Sequence, residues 1–358
     1  MDSINLNTTY CSHMVLSPLN QSTSVSTREL HISSCLFWQI VQNETSLVLL
    51  VLLFMALFLF SVMVNSYLLI ALKSSDGLSW QPRYTLLKNL IVSDLLLSLA
   101  LSSTVLRCLL TRHTLVFGCW CLIQFSVYST GVLCSLFTLT LMTVERFIFI
   151  CHGLRYIVIL TSRRLRLAIA LTWVLSGTIV AVQVSLLLSG QISFGRAVPG
   201  LLCDSISMSK LPGVHWAKKR FDIVTIIIVL LACILTFSIS YRRMYQAARR
   251  AVEPFHSDNR RARHTISFYF FMFFLQLLPI IVNIARLVLR KTIFMTSPDY
   301  FSPAERYMFL SVVVVFMVPP CINPLAYGIR NIEIRHKLAQ LFRLQLERRE
   351  EGACCSVF

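Results

Sequence analysis

The chain has 358 residues, of which 56% are apolar and only 14% charged, a balance that excludes an ordinary water-soluble domain. Its formal charge of +17 does not point to nucleic acid, because the Lys and Arg residues are spread over connections between apolar stretches instead of gathering on one soluble unit. Lipid is the solvent that remains.

A helix needs roughly 20 apolar residues to cross a hydrocarbon core of about 30 Å. Seven such stretches follow one another: Leu47 to Leu72, Tyr84 to Leu110, Cys121 to Ile150, Leu165 to Leu188, Phe221 to Tyr245, Thr265 to Leu289 and Tyr307 to Gly328. None alternates as a barrel strand does, and lipid leaves backbone groups without partners, so the spacing predicts an all-α bundle of seven transmembrane helices. With the N-terminus outside, 21 of the 33 Lys and Arg residues fall on the inner side and 12 on the outer, as the positive-inside rule expects. Sequons at Asn7, Asn20 and Asn43 all precede the first span and place that segment in the secretory lumen, where they are expected to carry glycans. The first stretch lacks a basic start followed by an apolar core, so the first span is expected to act as its own insertion signal. The organisation is therefore an extracellular segment 1–45, a seven-span domain 46–329 and a cytoplasmic segment 330–358.

Connections are short and no internal repeat divides the chain, which counts against a transporter. The longest outer connection, Ser189 to Arg220, holds Pro199, Pro212, Cys203 and several glycines and reads as an irregular cap. After the seventh span, Asn331 to Glu347 alternates Ile334, Leu338, Leu341 and Phe342 with basic residues, the pattern of a helix lying on the inner membrane surface. Cys354 and Cys355 follow it as possible lipidation sites. Most of the twelve cysteines sit in or near apolar spans as ordinary packing. In the oxidising outer compartment Cys203 can pair with Cys121 or with Cys119, and residue positions leave both open; Cys11, Cys35 and Cys108 are unassigned.

Ionisable residues inside a membrane are costly, so Asp94 in the second span is informative. Asn65, Ser135 and Asn323 come from other spans at similar depth. Together these oxygens suit either a sodium ion with ordered water or a plain hydrogen-bond cluster between helices. At the inner end of the third span, Glu145 beside Arg146 forms a switch geometry in which the carboxylate holds the guanidinium until a partner competes for it. Tyr241 and Tyr327, at the inner ends of the fifth and seventh spans, are expected within reach of Arg146. Pro279 and Pro324 are expected to break the sixth and seventh helices, each freeing a carbonyl and permitting a kink.

Asn65, Asp94, Cys121, Glu145–Arg146, Trp173, Pro279 and the motif from Asn323–Pro324 to Tyr327 together resemble the rhodopsin-like receptor family, over nearly the whole chain after the N-terminal segment. Within that family the run Met142 to Tyr156 (MTVERFIFICHGLRY), CLIQ from Cys121, Ser240–Tyr241 and PLAYGIRN from Pro324 resemble odorant receptors. Pro82–Arg83–Tyr84 and Arg261 to Thr265 look most like the fish-type branch. The resemblance implies the Cys121–Cys203 disulfide and a role for Glu145, Arg146, Tyr241, Asn323, Pro324 and Tyr327 in activation. Departures are Glu145 in place of aspartate, a fifth span without its usual proline, and Leu277 where many relatives carry an aromatic. Asn259 replaces an acidic partner for the third-span arginine, so Arg146 is expected to rest on Glu145.

The resemblance also places Tyr128 where amine receptors carry aspartate and Met317 where retinal's lysine stands, so neither ligand is favoured. The outer pocket is expected to use Phe125, Tyr128, Ser129, Val132, Gln276, Ile280, Asn283 and Met317, an apolar site with a few hydrogen-bonding groups, each residue equally serviceable as core. The implied function is a plasma-membrane receptor for a small odorant, acting on a stimulatory, olfactory-type heterotrimeric G protein, with no bond made or broken. The alternatives are a rhodopsin-like receptor for a peptide or lipid and, from a different class, a channel or transporter. The latter should line several spans with charge, whereas Asp94 stands nearly alone. No membrane-embedded protease or metal motif argues for an enzyme.

Overall fold

The computed structural model describes residues 40–73, 81–198, 201–250, 270–285 and 303–330, with a few isolated positions beside them. Among these residues seven long helices follow in chain order: α1 Glu44–Lys73, α2 Pro82–Thr111, α3 Cys119–Cys151, α4 Ser162–Leu188, α5 Trp216–Arg250, α6 Phe270–Ala285 and α7 Pro303–Arg330. The first five are long and apolar enough to cross a membrane, while the sixth and part of the seventh, Val313–Gly328, are shorter apolar stretches among the described residues. Each falls on an expected span, and the first five and the seventh start earlier than the apolar run. Pro82 shows why for α2: at the first helical position its fixed φ suits the helix and its missing N–H is one the helix would not use.

Burial separates central from peripheral helices. In the apolar windows of α2 and α3, 67% and 44% of residues are buried, against 17% in α1 and 22% in both α4 and α5. The peripheral helices therefore present Leu, Ile and Val outward, Leu49, Leu52, Ile227 and Ile228 among them, a surface that only lipid stabilises. α2 packs between α1 and α3; α3 also touches α4 and α5, and α7 closes against α1 and α2. Gly131 of α3 allows the close approach to α2, since a Cβ there would sit 3.5 Å from Leu97 Cβ and from the Ser93 carbonyl oxygen.

One end of the bundle is tied shut by its connections. The α2–α3 and α4–α5 connections form an antiparallel bridge at Val116 and Ala197, with Phe117 N–H donating to Arg196 O (2.6 Å) and Val198 N–H to Leu115 O (2.7 Å). The Cys121–Cys203 disulfide joins the same connection to α3, with a Cα–Cα distance of 5.6 Å, and Cys119 is a free thiol. The cap expected to be irregular thus carries order, including a short helix Ser205–Ser209 whose first N–H groups are accepted by the Asp204 carboxylate. Gly213 is required there: its φ is +92°, and a Cβ would meet the Gln191 oxygen at 2.5 Å. Cys35 is also disulfide-bonded, and nearby Phe37, Ile40 and Val41 are buried in the apolar cluster at this end.

The prolines do not break their helices. α7 runs from Pro303 to Arg330 through Pro319, Pro320 and Pro324, and α6 is continuous across Pro279. The reason for α7 is local. Pro324 has no N–H to give the carbonyl four residues back, and that oxygen, on Pro320, instead accepts from Asn65 Nδ2 (3.0 Å) and Ser61 Oγ (3.3 Å) of α1. Asn7, Asn20, Asn259, the stretch 331–347 apart from isolated positions, Cys354 and Cys355 lie outside the described residues.

Candidate functional site

Among the described residues, polar side chains gather at several levels along the bundle. In the middle, Asp94 of α2 is fully buried; its Oδ1 accepts from Ser135 Oγ of α3 (2.9 Å) and its Oδ2 from Asn323 Nδ2 of α7 (3.2 Å). Asn323 Nδ2 also donates to Gln276 Oε1 of α6 at 3.0 Å. The carboxylate therefore joins α2 to α3 and α7, and Asn323 extends the network to α6. The structure places Gln276 in this network, deeper than the outer pocket for which the sequence nominated it. Asn65 has a different duty from the one expected, holding the carbonyl freed by Pro324. Among the described residues, Asn323 Oδ1, Asn65 Oδ1 and Ser98 Oγ are buried without a protein partner, and Ser98 stands one turn beyond Asp94 on α2. Asn323 bonds the Asp94 carboxylate and keeps its own buried oxygen unpartnered, and such unspent lone pairs beside a carboxylate fit a hard cation or ordered water.

At the α3 C-terminus Glu145 is buried, and its Oε2 lies 3.2 Å from Arg146 Nε. Its other oxygen accepts from the Tyr156 hydroxyl at 2.8 Å. Tyr156 opens the short helical turn Tyr156–Ile159, and its ring meets Phe149 edge-on at 5.3 Å. Burial first, then the Glu145 carboxylate, pushes the Tyr156 phenol above its ordinary range, so it stays a neutral donor. The expected Glu145–Arg146 pair is present, and Tyr156 is the member that sequence reasoning missed. Tyr156 closes the very run that resembles odorant receptors, yet nothing in spacing alone assigns it to Glu145. Tyr327 is buried edge-on to Phe268 of the α6 side at 5.5 Å, whereas Tyr241 is exposed.

Toward the Cys121 end, Phe125 and Met317 are fully enclosed and Tyr128 is buried with its ring edge-on to Phe316 (5.7 Å). Ser102 Oγ donates to Met317 Sδ at 3.8 Å. Asn283 is buried, and Ser129, Val132 and Ile280 are half-buried. Phe125, Tyr128 and Met317 thus share one apolar cluster with Cys121 and Cys203, and Val132 packs against it, whereas Gln276 lies apart in the Asp94 network. Beside them lies an ion pair the sequence reading overlooked: Lys218, wholly buried, donates to Asp222 Oδ2 at 2.5 Å and to Ser205 O at 3.2 Å. Gln183 Nε2 of α4 donates to Asp222 Oδ1 (3.1 Å), and the ammonium stands 5.8 Å from the Phe125 ring centre. The available signal was an i, i+4 Lys–Asp pair just ahead of an apolar run. A third bridge missed from sequence joins α2, α3 and α4: Trp173 Nε1 donates to Asn89 Oδ1 (2.8 Å), and Asn89 Nδ2 to Thr138 Oγ1 (2.7 Å).

Comparison with known proteins agrees with this arrangement. Residues 65–327 match the family model for the 7 transmembrane receptor (rhodopsin family). Similar proteins include human Olfactory receptor 10A5, 26% identical over 82% of this chain and 88% of that receptor, and human Olfactory receptor 1J4, 28% identical over 81% and 88%. Human Olfactory receptor 10A2 is 25% identical over 82% of this chain and 92% of its own length. With its seven helices, its Asp94 network and a family match covering well over half its length, the chain belongs to the rhodopsin family of seven-transmembrane receptors.

Proposed function

We propose that this chain is an odorant receptor of the plasma membrane: a small ligand enters at the Cys121 end, and the Arg146 end acts on a heterotrimeric G protein of the stimulatory type. The observation that carries the reading is the separation of roles along one bundle. A capped, largely apolar half holds Phe125, Tyr128 and Met317, and at the far end the buried Glu145 carboxylate binds Arg146 and Tyr156. The excess of Lys and Arg on the Arg146 side supports placing that end in the cytosol, with Asn7, Asn20 and Asn43 outside and glycosylated. The relatives' names support the odorant role; the stimulatory partner and the fish-type likeness rest on sequence motifs.

A ligand shifts such an equilibrium only by its difference in affinity for the two states, and going from 1:99 to 99:1 takes about a 10⁴-fold preference. Asp94, Ser135, Ser98 and Asn323 would hold a sodium ion, supplying a positive charge that balances the carboxylate and favours the closed packing of α2, α3 and α7. Raising sodium should then lower basal signalling in the native chain and not in Asp94→Asn; equal sodium dependence would remove the ion. The receptor reading is tested by cyclic-AMP output in cells displaying the chain, with and without a stimulatory Gα, against pooled volatile and water-soluble odorants. A response that needs the Gα supports it, and silence at confirmed surface expression counts against it.

A further inference from the structure

Much of what holds α6 among the described residues is apolar. Phe273 stacks on Phe237 of α5 with ring centres 3.9 Å apart, and Met272 and Leu275 join the apolar cluster that includes Tyr327 of α7. Burial of this kind keeps a helix close without fixing its position, because the hydrophobic effect has no direction. The directional tie is Gln276, which is buried and whose Oε1 accepts from Asn323 Nδ2 of α7 at 3.0 Å. Asn323 Nδ2 also donates to Asp94 Oδ2 at 3.2 Å. An amide NH2 has two hydrogens, so both are spent, and the accepting carboxylate fixes which end of the Asn323 amide points this way.

The turn that carries Gln276 is also the weakest of α6. Pro279 has no N–H for the Leu275 carbonyl, so α6, although continuous, is one backbone bond short beside Gln276. In α7 the corresponding carbonyl, that of Pro320, is served by Asn65 and Ser61 of α1. A turn that lacks a backbone bond bends more readily, and the Gln276 bond spans it from outside. Moving α6 off α7 strands an Asn323 hydrogen in the buried interior, which disfavours the moved state by roughly tenfold. We propose that Gln276 is a positioning residue that holds α6 closed, latching its proline-weakened turn to Asn323 and, through Asn323, to the Asp94 carboxylate. A change at Asp94 then reaches α6 along two hydrogen bonds. The latch is a property of the bundle; its consequence for signalling rests on the receptor reading.

The test is hydrogen–deuterium exchange of the purified full-length chain in detergent, without ligand. Gln276→Leu removes the acceptor and nearly keeps the volume. It should speed exchange in peptides covering 270–278 about tenfold and leave those of α2 and α3 at the native rate. Gln276→Glu keeps an acceptor oxygen at the same reach and should stay close to native. In an Asn323→Leu background, Gln276→Leu should add no further acceleration, since the bond is already gone. Native exchange in Gln276→Leu would overturn the latch, as would equal acceleration in α2, α3 and α6, which signals general loosening. A further tenfold gain on top of Asn323→Leu, or Gln276→Glu exchanging as fast as Gln276→Leu, would equally overturn it, because the effect would not run through the Asn323 bond. Basal nucleotide exchange on a stimulatory Gα, which should rise in Gln276→Leu, reads the consequence separately. Faster α6 exchange with unchanged nucleotide exchange would uphold the latch and count against the receptor reading.

Discussion

Single residues carry charges that the membrane would not otherwise tolerate. Lys218 and Asp222 are the sharpest case, because both are buried and each neutralises the other. Removing one partner strands a charge, so Asp222→Ala should cost about 3–5 kcal/mol, whereas Lys218→Met with Asp222→Leu together should recover most of the loss. Thermal unfolding in detergent distinguishes them; a double variant as unstable as the single would show that packing, not charge pairing, matters there. Arg146→Ala should reach the surface normally and lose signalling, and retained signalling at the native level would remove Arg146 from the switch. These two residues also mark what sequence can reveal. Arg146 and Asp94 were legible because a charge within or at the edge of an apolar span has few inert explanations. Lys218 and Asp222 were not, because at a helix start such a pair reads as a solvated face until the connection around Ser205 is seen to cover it.

The helices themselves were legible because composition forces them: long apolar runs in lipid have no other way to satisfy their backbone groups. What composition does not show is how one helix completes another. Pro324 was expected to break α7, yet α7 continues because α1 supplies Asn65 and Ser61 to the Pro320 carbonyl. Asn65→Leu should therefore cost about 1–3 kcal/mol by taking the nearer donor from that oxygen; Asn65 Nδ2 serves Pro320 and Ser61 instead of the Asp94 carboxylate it was expected to join. An unchanged melting temperature would indicate that Ser61 alone satisfies Pro320. The cap follows a similar logic. Cys203 is placed by the disulfide, by its N–H bond to Gln124 Oε1 (2.8 Å) and by the Val116–Ala197 bridge. Cys203→Ser should lose surface delivery or ligand response despite those other ties, and native behaviour in both assays would make the disulfide dispensable. Sequence left Cys119 and Cys121 as rivals, because residue spacing does not say which side chain faces the connection; the structure gives the bond to Cys121.

At the scale of the molecule, the bundle is a two-ended device. Its most buried helices, α2 and α3, run from the capped mouth to the Glu145–Arg146–Tyr156 cluster, and the Asp94 network lies between, drawing in α6 and α7. On the proposed function, repacking at Phe125, Tyr128 or Met317 is to reach Arg146 through helices that share hydrogen bonds. On the same reading, occupancy at one end changes the rate of nucleotide exchange on a partner bound at the other. The direct measurement is guanine-nucleotide exchange on a stimulatory Gα, in membranes displaying the native chain, with and without pooled odorants. Exchange should rise with odorant in the native chain and stay at the basal rate in Arg146→Ala at matched surface level; equal exchange with and without odorant across the pools, despite confirmed display, would contradict the receptor function.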